Sequence, residues 1–127
     1  MLCCSGSDNS SDDNTITQDE IFFVTQSIGG VQVQREVLLH LPNNFDSTQT
    51  YPVVIAFHGN GGQNNSWFNQ LSQFVDIGEF IGVYPQGYLN SWNLGAEAST
   101  ADEVYFFNQI KFSSLLNFNI FFFIELN

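Results

Sequence analysis

Two short runs of consecutive apolar residues constrain the fold of this chain more than any other feature of its sequence. They are residues 52–57 and 80–84, and each ends in a turn rich in glycine or proline. A strand covered on both faces of a mostly parallel sheet is a continuous apolar run, whereas a half-exposed strand alternates. Both runs are therefore predicted to be central strands.

A helix is predicted between these two runs. Apolar residues recur there at spacings of three and four, namely Phe68, Leu71, Phe74 and Val75. Asn65 or Ser66 is expected to cap its start, and Gly78 is expected to end it.

A second helix is predicted after residue 100. Residues 100–103 have the pattern of a capping box, and Val104, Phe107 and Ile110 share one helical face. Strand, helix, strand and helix joined by short loops are typical of a right-handed βαβ unit.

The residues before the first central run favour an antiparallel hairpin. Residues 21–24 are apolar, Gly29 and Gly30 can form a turn, and residues 31–41 begin with strict alternation. The predicted fold is therefore α/β, with an antiparallel hairpin followed by a parallel βαβα unit. His40, near the end of an apolar strand, is interpreted as a strand-end or core histidine rather than a catalyst.

The strongest chemical signal is the loop at residues 58–62, which reads His-Gly-Asn-Gly-Gly directly after the first central run. Glycines let the backbone approach a ligand closely and adopt positive φ. Loops at the carboxyl ends of parallel strands are where α/β sheets place their binding sites. Backbone N–H groups there can stabilise an oxyanion; the alternative is a plain turn, and a phosphate loop is disfavoured because no lysine follows.

Four motifs together resemble a known family. They are residues 52–62, then 80–87 ending in Tyr-Pro-Gln-Gly, then Asn-Ser-Trp-Asn at 90–93, then Ala-Asp-Glu-Val-Tyr-Phe at 101–106. In this order and spacing they resemble secreted esterases of the polyhydroxybutyrate depolymerase and feruloyl esterase type, which belong to the α/β-hydrolase superfamily and include acetylxylan esterases. The likeness covers roughly residues 21–111, so the chain is predicted to be the amino-terminal half of an α/β-hydrolase sheet.

The resemblance implies roles for the residues of the glycine loop. The backbone of Gly59, Asn60 and Gly61 would form the oxyanion-hole loop, with the donating N–H left open. His58 and Gly62 would be structural, and His58 would not be the catalytic base.

Three further residues carry roles implied by the same resemblance. Trp92 and Asn93 would lie near the mouth of the site and contact substrate, although Trp92 is equally interpreted as a packing residue. Asp102 would cap or brace its helix and would not be the triad acid, which follows the nucleophile in this superfamily.

The end of the chain departs from the family. The family continues to a Gly-x-Ser-x-Gly nucleophile elbow, a triad acid and a histidine, but this chain has no glycine after Gly95 and no histidine after His58. The chain by itself is therefore expected to be inactive. Residues 112–127 are rich in Phe and Asn and are interpreted either as a buried strand or as the product of a frameshift or early stop. We expect the second, because Phe, Asn and Ile are encoded by AT-rich codons.

The first twenty residues differ from the rest in composition. They are acidic and polar, and are predicted to be a disordered leader. Adjacent Cys3 and Cys4 are either free thiols or a lipoprotein start in which Cys4 is acylated and residues 5–20 form a tether. The second interpretation implies a secreted or cell-surface lipoprotein with a truncated signal peptide.

The charge of the chain restricts its partners. Thirteen acidic residues against Arg35 and Lys111 give a formal net charge of −11, which disfavours nucleic acid and leaves a lipid anchor as the only expected membrane contact. The cysteines and histidines lack the spacing of metal ligands, and no cofactor is expected. The expected partner is an ester substrate, polymeric or linked to polysaccharide.

Two functions from different classes follow. The first is a fragment of a serine carboxylic-ester hydrolase acting on polyester or plant-polysaccharide esters. The alternative is a non-catalytic exported module that binds carbohydrate or polymer through aromatic residues around Trp67, Tyr88 and Trp92.

Overall fold

The computed structural model describes residues 19–115 and 121–124 of the 127-residue chain. The elements follow the chain in this order: β1 (Asp19–Ile28), β2 (Val31–His40), β3 (Pro52–Ile55), α1 (Asn65–Asp76), β4 (Ile81–Pro85), a short 3₁₀ turn (Tyr88–Asn90), α2 (Glu103–Leu115) and β5 (Phe121–Ile124). The strands form one sheet in the order β1-β2-β4-β3-β5. The predicted leader up to residue 18 and the tail residues 116–120 and 125–127 lie outside the described residues.

The antiparallel and parallel parts of the sheet meet at β4. β1 pairs antiparallel with β2, β2 antiparallel with β4, and β3 parallel with both β4 and β5. This arrangement confirms the predicted α/β fold class, with a leading antiparallel hairpin and a parallel βαβ unit.

The hairpin is longer than the sequence predicts. β1 begins at Asp19, two residues inside the predicted leader, and continues to Ile28, where Gly29 and Gly30 turn the chain with φ of +58° and +81°. Pairing explains the extension, because every residue of β1 faces a partner in β2. The polar residues after Val24 are stabilised as a strand by that partner rather than by their own propensity.

α1 lies where its spacing predicts, but its start and its apolar face differ in detail. The helix begins at Asn65, so the N-cap is Asn64, whose side chain makes no capping hydrogen bond. Val75 is fully buried whereas Phe74 is 37% exposed. Gly78, at φ +89°, follows the helix and donates its N–H to the Val75 carbonyl at 2.8 Å, as a glycine after a helix end does.

α2 corrects two predictions. Its N-cap is Asp102, whose Oδ1 accepts a hydrogen bond from the Tyr105 N–H at 2.9 Å, so the predicted capping box from Thr100 is wrong by two residues. The buried face consists of Phe106 and Ile110, with Phe107 packed against them, while Val104 is 71% exposed. Residues two positions apart lie on nearly opposite sides of a helix, so Val104 faces solvent when Phe106 faces the core.

The core lies mainly between the sheet and α2. Val24, Val37, Ile55, Val83 and other strand residues pack there against Phe106 and Ile110. The opposite face of the sheet is covered by α1, where Phe68 stacks on the ring of His40 at a centroid distance of 4.5 Å.

Within residues 19–115 and 121–124, no helix combines the length and apolar character needed to cross a membrane.

β5 bears on the interpretation of the carboxyl-terminal tail. Residues 121–124 form a strand that pairs parallel with β3, with Pro52 opposite Phe121 and Ile55 opposite Ile124. The apolar stretch therefore forms a strand at the edge of the described sheet next to β3. The frameshift hypothesis concerns the DNA and stays a prediction.

Candidate functional site

The carboxyl ends of β3 and β4 bring two loops of the chain together. Because these strands are parallel neighbours, the loop at residues 56–62 after β3 meets the loop at residues 86–93 after β4. A backbone hydrogen bond joins them directly, from the Gly61 N–H to the Asn90 carbonyl at 2.7 Å. The glycine motif thus lies at the edge where a parallel sheet binds ligands.

The glycine loop is a β-turn from Gly59 to Gly62. The Gly62 N–H donates to the Gly59 carbonyl at 2.9 Å, and Gly61, the third residue of the turn, has φ +79°. A positive φ at this position is characteristic of a type II turn and requires glycine or asparagine. The motif therefore needs Gly61 for the shape of the backbone.

His58 is buried beneath this turn, with 3% of its surface exposed. Its Nε2 accepts a hydrogen bond from the Gly87 N–H at 3.0 Å, and its Nδ1 lies 2.8 Å from the Gly59 carbonyl oxygen. A backbone N–H can only donate, so Nε2 must be unprotonated and Nδ1 carries the hydrogen. Both ring nitrogens are thereby engaged in holding the loop, which leaves neither to act as a general base.

The hydrogen bonds under the turn fix the direction of two N–H groups. The His58 carbonyl accepts from Trp92 Nε1 at 2.6 Å, and the Gly59 carbonyl accepts from His58 Nδ1 and from the Gly62 N–H. In a trans peptide the C=O and the following N–H point in opposite directions, and none of the peptide bonds in the described residues is cis. The N–H groups of Gly59 and Asn60 therefore point away from these internal partners.

The four N–H groups of the loop thus divide into two pairs. Those of Gly61 and Gly62 are used internally, by the Asn90 and Gly59 carbonyls. Those of Gly59 and Asn60 make no hydrogen bond within the described part of the chain, and both residues are exposed. Adjacent free N–H groups at an exposed turn can bind a partial negative charge.

The loop after β4 is strained where it contacts the glycine turn. Leu89 and Asn90 both lie in the left-handed region, at φ +55° and +56°. This conformation costs a residue with a Cβ about 1–2 kcal/mol, and it persists where surrounding contacts enforce it. Here it aims the Asn90 carbonyl at the Gly61 N–H.

Trp92 and Asn93, the two predicted substrate contacts, lie in the loop after β4 and differ in exposure. Trp92 is only 9% exposed and packs edge-on against the Phe57 ring at 5.0 Å, so its role in the structure is packing and support of His58. Asn93 is exposed, but its side chain donates to the Ala101 carbonyl at 3.0 Å. Of the three residues in the predicted aromatic surface, Trp67, Tyr88 and Trp92, the last is buried.

Arg35 and Glu103 form a buried ion pair that the sequence did not single out. Arg35 Nη1 lies 2.8 Å from Glu103 Oε2, and the Arg35 guanidinium is 3.6 Å from the centre of the Phe106 ring. The pKa of Arg35 lies below its usual value because the guanidinium is buried. The hydrogen bond and charge of Glu103 offset part of that decrease. Arg35 stays charged at neutral pH, because its usual value lies far above that range.

This ion pair connects the hairpin to the loop after β4. Arg35 Nη2 donates to the Gln86 carbonyl at 3.3 Å, and Glu103 Oε1 accepts from the Asn93 N–H and from the hydroxyl of Ser99. Asp102, which precedes Glu103, is held by the Gln26 side chain through its carbonyl at 2.7 Å. Arg35 occupies one of the alternate positions of β2 that are otherwise apolar. This alternation could have indicated that its side chain points into the core.

Gln86 is the second residue that sequence analysis missed. Its side chain contacts His58, Asn64 and Asn90, and its backbone is bonded to β2. Only its place in the Tyr-Pro-Gln-Gly motif could have drawn attention to it.

The other candidate residues of the sequence analysis lie away from this edge or outside the described residues. His40 lies at the opposite end of the sheet, beside the start of β4, with Nε2 2.9 Å from Asp76 Oδ1. No cluster of three or more His, Cys, Asp or Glu that could bind a metal occurs among residues the structure describes. Cys4 lies outside those residues.

Comparison with known proteins finds likenesses among solved structures only. No protein-family model matches the chain, and no curated protein matches it. Among solved structures, it is similar to a CE1 ferulic acid esterase from Anaeromyces mucronatus, determined in complex with ferulic acid. The two share 15% sequence identity at a TM-score of 0.45, over 90% of this chain and 50% of that one. The chain therefore spans about half the length of this esterase.

Proposed function

We propose that the chain is the amino-terminal part of a serine carboxylic-ester hydrolase and that it supplies the oxyanion-hole loop. The observation that carries this proposal is the outward direction of the Asn60 N–H, at the exposed apex of the Gly59–Gly62 turn. The Gly59 N–H lies beside it. Ester hydrolysis builds negative charge on one carbonyl oxygen, and fixed N–H donors stabilise that charge.

The four motifs that resemble polyhydroxybutyrate depolymerases and feruloyl esterases define the expected reaction. A serine from the Gly-x-Ser-x-Gly elbow would attack the ester carbonyl, and a histidine would accept its proton and return it to the leaving alcohol. The substrate class we propose is an ester of a polyester or of a plant polysaccharide. Neither the elbow nor the catalytic histidine occurs in the sequence after Gly95.

The chain alone is accordingly expected to show no turnover of p-nitrophenyl acetate above a denatured control. An oxyanion hole without a nucleophile has no covalent step to accelerate. Robust turnover that a serine-directed inhibitor abolishes would contradict the proposal that this chain lacks the catalytic triad.

A chimera tests the role of the loop itself. The chain would be joined to the carboxyl-terminal half of a characterised feruloyl esterase, beginning before its nucleophile strand, and hydrolysis of an aryl ester would be measured. Asn60→Pro deletes the N–H, and proline suits the second position of a type II turn. Asn60→Ala retains the N–H and is the matched control.

The proposal expects Asn60→Pro to lower kcat by about 10²–10³ with little change in KM, and Asn60→Ala to lower it far less. Equal activity of the two variants in a soluble, active chimera would show that the Asn60 N–H is not part of the oxyanion hole. A soluble chimera that is folded by circular dichroism but hydrolyses no ester would contradict the proposed function.

A further inference from the structure

Gln86 is the residue at which the two loops of the site and the hairpin meet. Its N–H donates to the Glu36 carbonyl of β2 at 2.9 Å, and its carbonyl accepts from Arg35. Its side-chain Oε1 accepts from the Asn64 N–H at 2.9 Å, at the start of α1. Its Nε2 is 3.0 Å from both His58 Nε2 and Asn90 Oδ1.

The partners of the side chain determine which way the amide faces. The Asn64 N–H can only donate, so the Gln86 oxygen must lie on that side. The opposite orientation would place two donors against each other at Asn64. The Gln86 NH₂ group therefore faces His58 and Asn90, with one N–H for each.

This orientation places a donor against His58 Nε2, in addition to the Gly87 N–H. An imidazole nitrogen that faces two donors must be the unprotonated one, so His58 is held with its hydrogen on Nδ1. The Nδ1–H then donates to the Gly59 carbonyl. Because the Gly59 carbonyl and the Asn60 N–H belong to one trans peptide, fixing the first fixes the second.

We propose that Gln86 is a positioning residue that, together with the Gly87 N–H, holds the tautomer of His58 and, through the Gly59 carbonyl, aims the Asn60 N–H outward. This inference rests on the proposed function, because the direction of that N–H matters only if it binds an oxyanion. Gln86 is 26 positions after Asn60 in the chain, and the proposed effect on the Asn60 N–H passes through His58.

The test uses nuclear magnetic resonance of the chain as it exists. The ¹⁵N chemical shifts of the imidazole nitrogens distinguish a protonated from an unprotonated ring nitrogen, and His40, whose Nε2 faces Asp76, is an internal reference. The amide exchange rate of Gly62 reports on the turn, and that of Gly87 reports on its hydrogen bond to His58. Gln86→Glu replaces the donor facing His58 with a carboxylate oxygen, and Gln73→Glu, at an exposed position of α1, makes the same chemical change elsewhere.

In the unsubstituted chain we expect His58 Nε2 to be unprotonated. Gln86→Glu should cause Nε2 to become protonated, and the Gly62 and Gly87 amides should exchange roughly tenfold faster, the factor for the loss of one hydrogen bond. Gln73→Glu should leave all of these values unchanged. A protonated Nε2 in the unsubstituted chain would overturn the proposal even if Gln86→Glu does not fold, and an unchanged His58 in a folded Gln86→Glu variant would overturn it as well.

The readouts need no catalysis, so this inference and the proposed function can fail separately. If His58 responds to Gln86→Glu but the chimera is equally active with Asn60→Pro and Asn60→Ala, Gln86 positions the turn and the oxyanion role is wrong. If Asn60→Pro abolishes hydrolysis while His58 does not respond, the oxyanion role stands and the positioning by Gln86 is wrong.

Discussion

Gly87 lies in the loop after β4, and the space that a side chain would need there is occupied by backbone. Its φ of −67° is open to any residue, so backbone conformation does not require glycine. A Cβ at this position would lie 2.3 Å from the Ser91 carbonyl oxygen. The Gly87 N–H also donates to His58, so the loop cannot move away without releasing that ring.

Gly87→Ala is therefore expected to destabilise the chain by about 1–3 kcal/mol, as overpacking does. The measurement is the free energy of unfolding from urea denaturation. Gly59→Ala is the matched control, since nothing lies within 4 Å of its Cβ position and its φ is not positive. Equal effects of the two substitutions would show that the loop relaxes around Gly87.

At the scale of elements, the ion pair between Arg35 and Glu103 joins β2 to α2. Arg35 has 1% of its side chain exposed and Glu103 21%, so the charges are largely removed from water. The Gln26 side chain accepts a further hydrogen bond from Arg35 Nη1 at 3.0 Å. Removing one partner of a buried pair leaves the other charge without compensation.

Arg35→Met should lower the free energy of unfolding by about 3 kcal/mol, near the lower end for such pairs because Glu103 is partly exposed. Lys111→Met removes the same charge from α2, where the ammonium lies 5.9 Å from the Phe107 ring, and should cost less than about 1 kcal/mol. Urea denaturation of both variants compares them. If Lys111→Met were as costly as Arg35→Met, net charge rather than the ion pair would account for the loss.

At the scale of the whole molecule, the faces of the sheet are unequally covered. α2 packs over the side of the hairpin that carries Val24 and Val37, whereas α1 contacts β2 and β4 on the other side. Ile21 and Phe23 lie on that second side of β1 and are 59% and 56% exposed. β1 is also an edge strand of the described sheet, and an apolar edge strand is a site of association between chains.

We therefore expect the chain to self-associate despite its net charge, and Phe23→Lys to reduce that association. Phe23 lies opposite Glu36 in β2, so a lysine there would face a carboxylate and should be tolerated in the strand. Leu94→Lys, at an 81% exposed loop position, adds the same charge away from the edge. Light scattering after size exclusion would measure the mass of each variant.

Two results would contradict the association through β1. One is a monomeric unsubstituted chain that shows a cooperative thermal transition. The other is an equal reduction in mass by Phe23→Lys and Leu94→Lys, which would assign the effect to charge alone.

The sequence by itself determined the elements and the position of the candidate site. Apolar runs, alternation and spacings of three and four are local properties of the chain, so β2, β4 and the body of α1 could be predicted within a few residues. The His-Gly-Asn-Gly-Gly motif located the loop after β3 for the same reason. The cap at Asn64 was missed and the capping box was wrongly started at Thr100, because several adjacent residues of suitable type compete for each cap.

Only the tertiary structure decided which groups of that loop are free to act. The direction of the Asn60 N–H depends on His58, whose tautomer depends on Gly87 and Gln86, some 28 positions further along the chain. Trp92 supports His58 from 34 positions away, and Arg35 meets Glu103 across 68. Hydrogen bonds between such distant residues form only when the sheet brings β2, β3 and β4 side by side. Local patterns in the sequence therefore do not predict them.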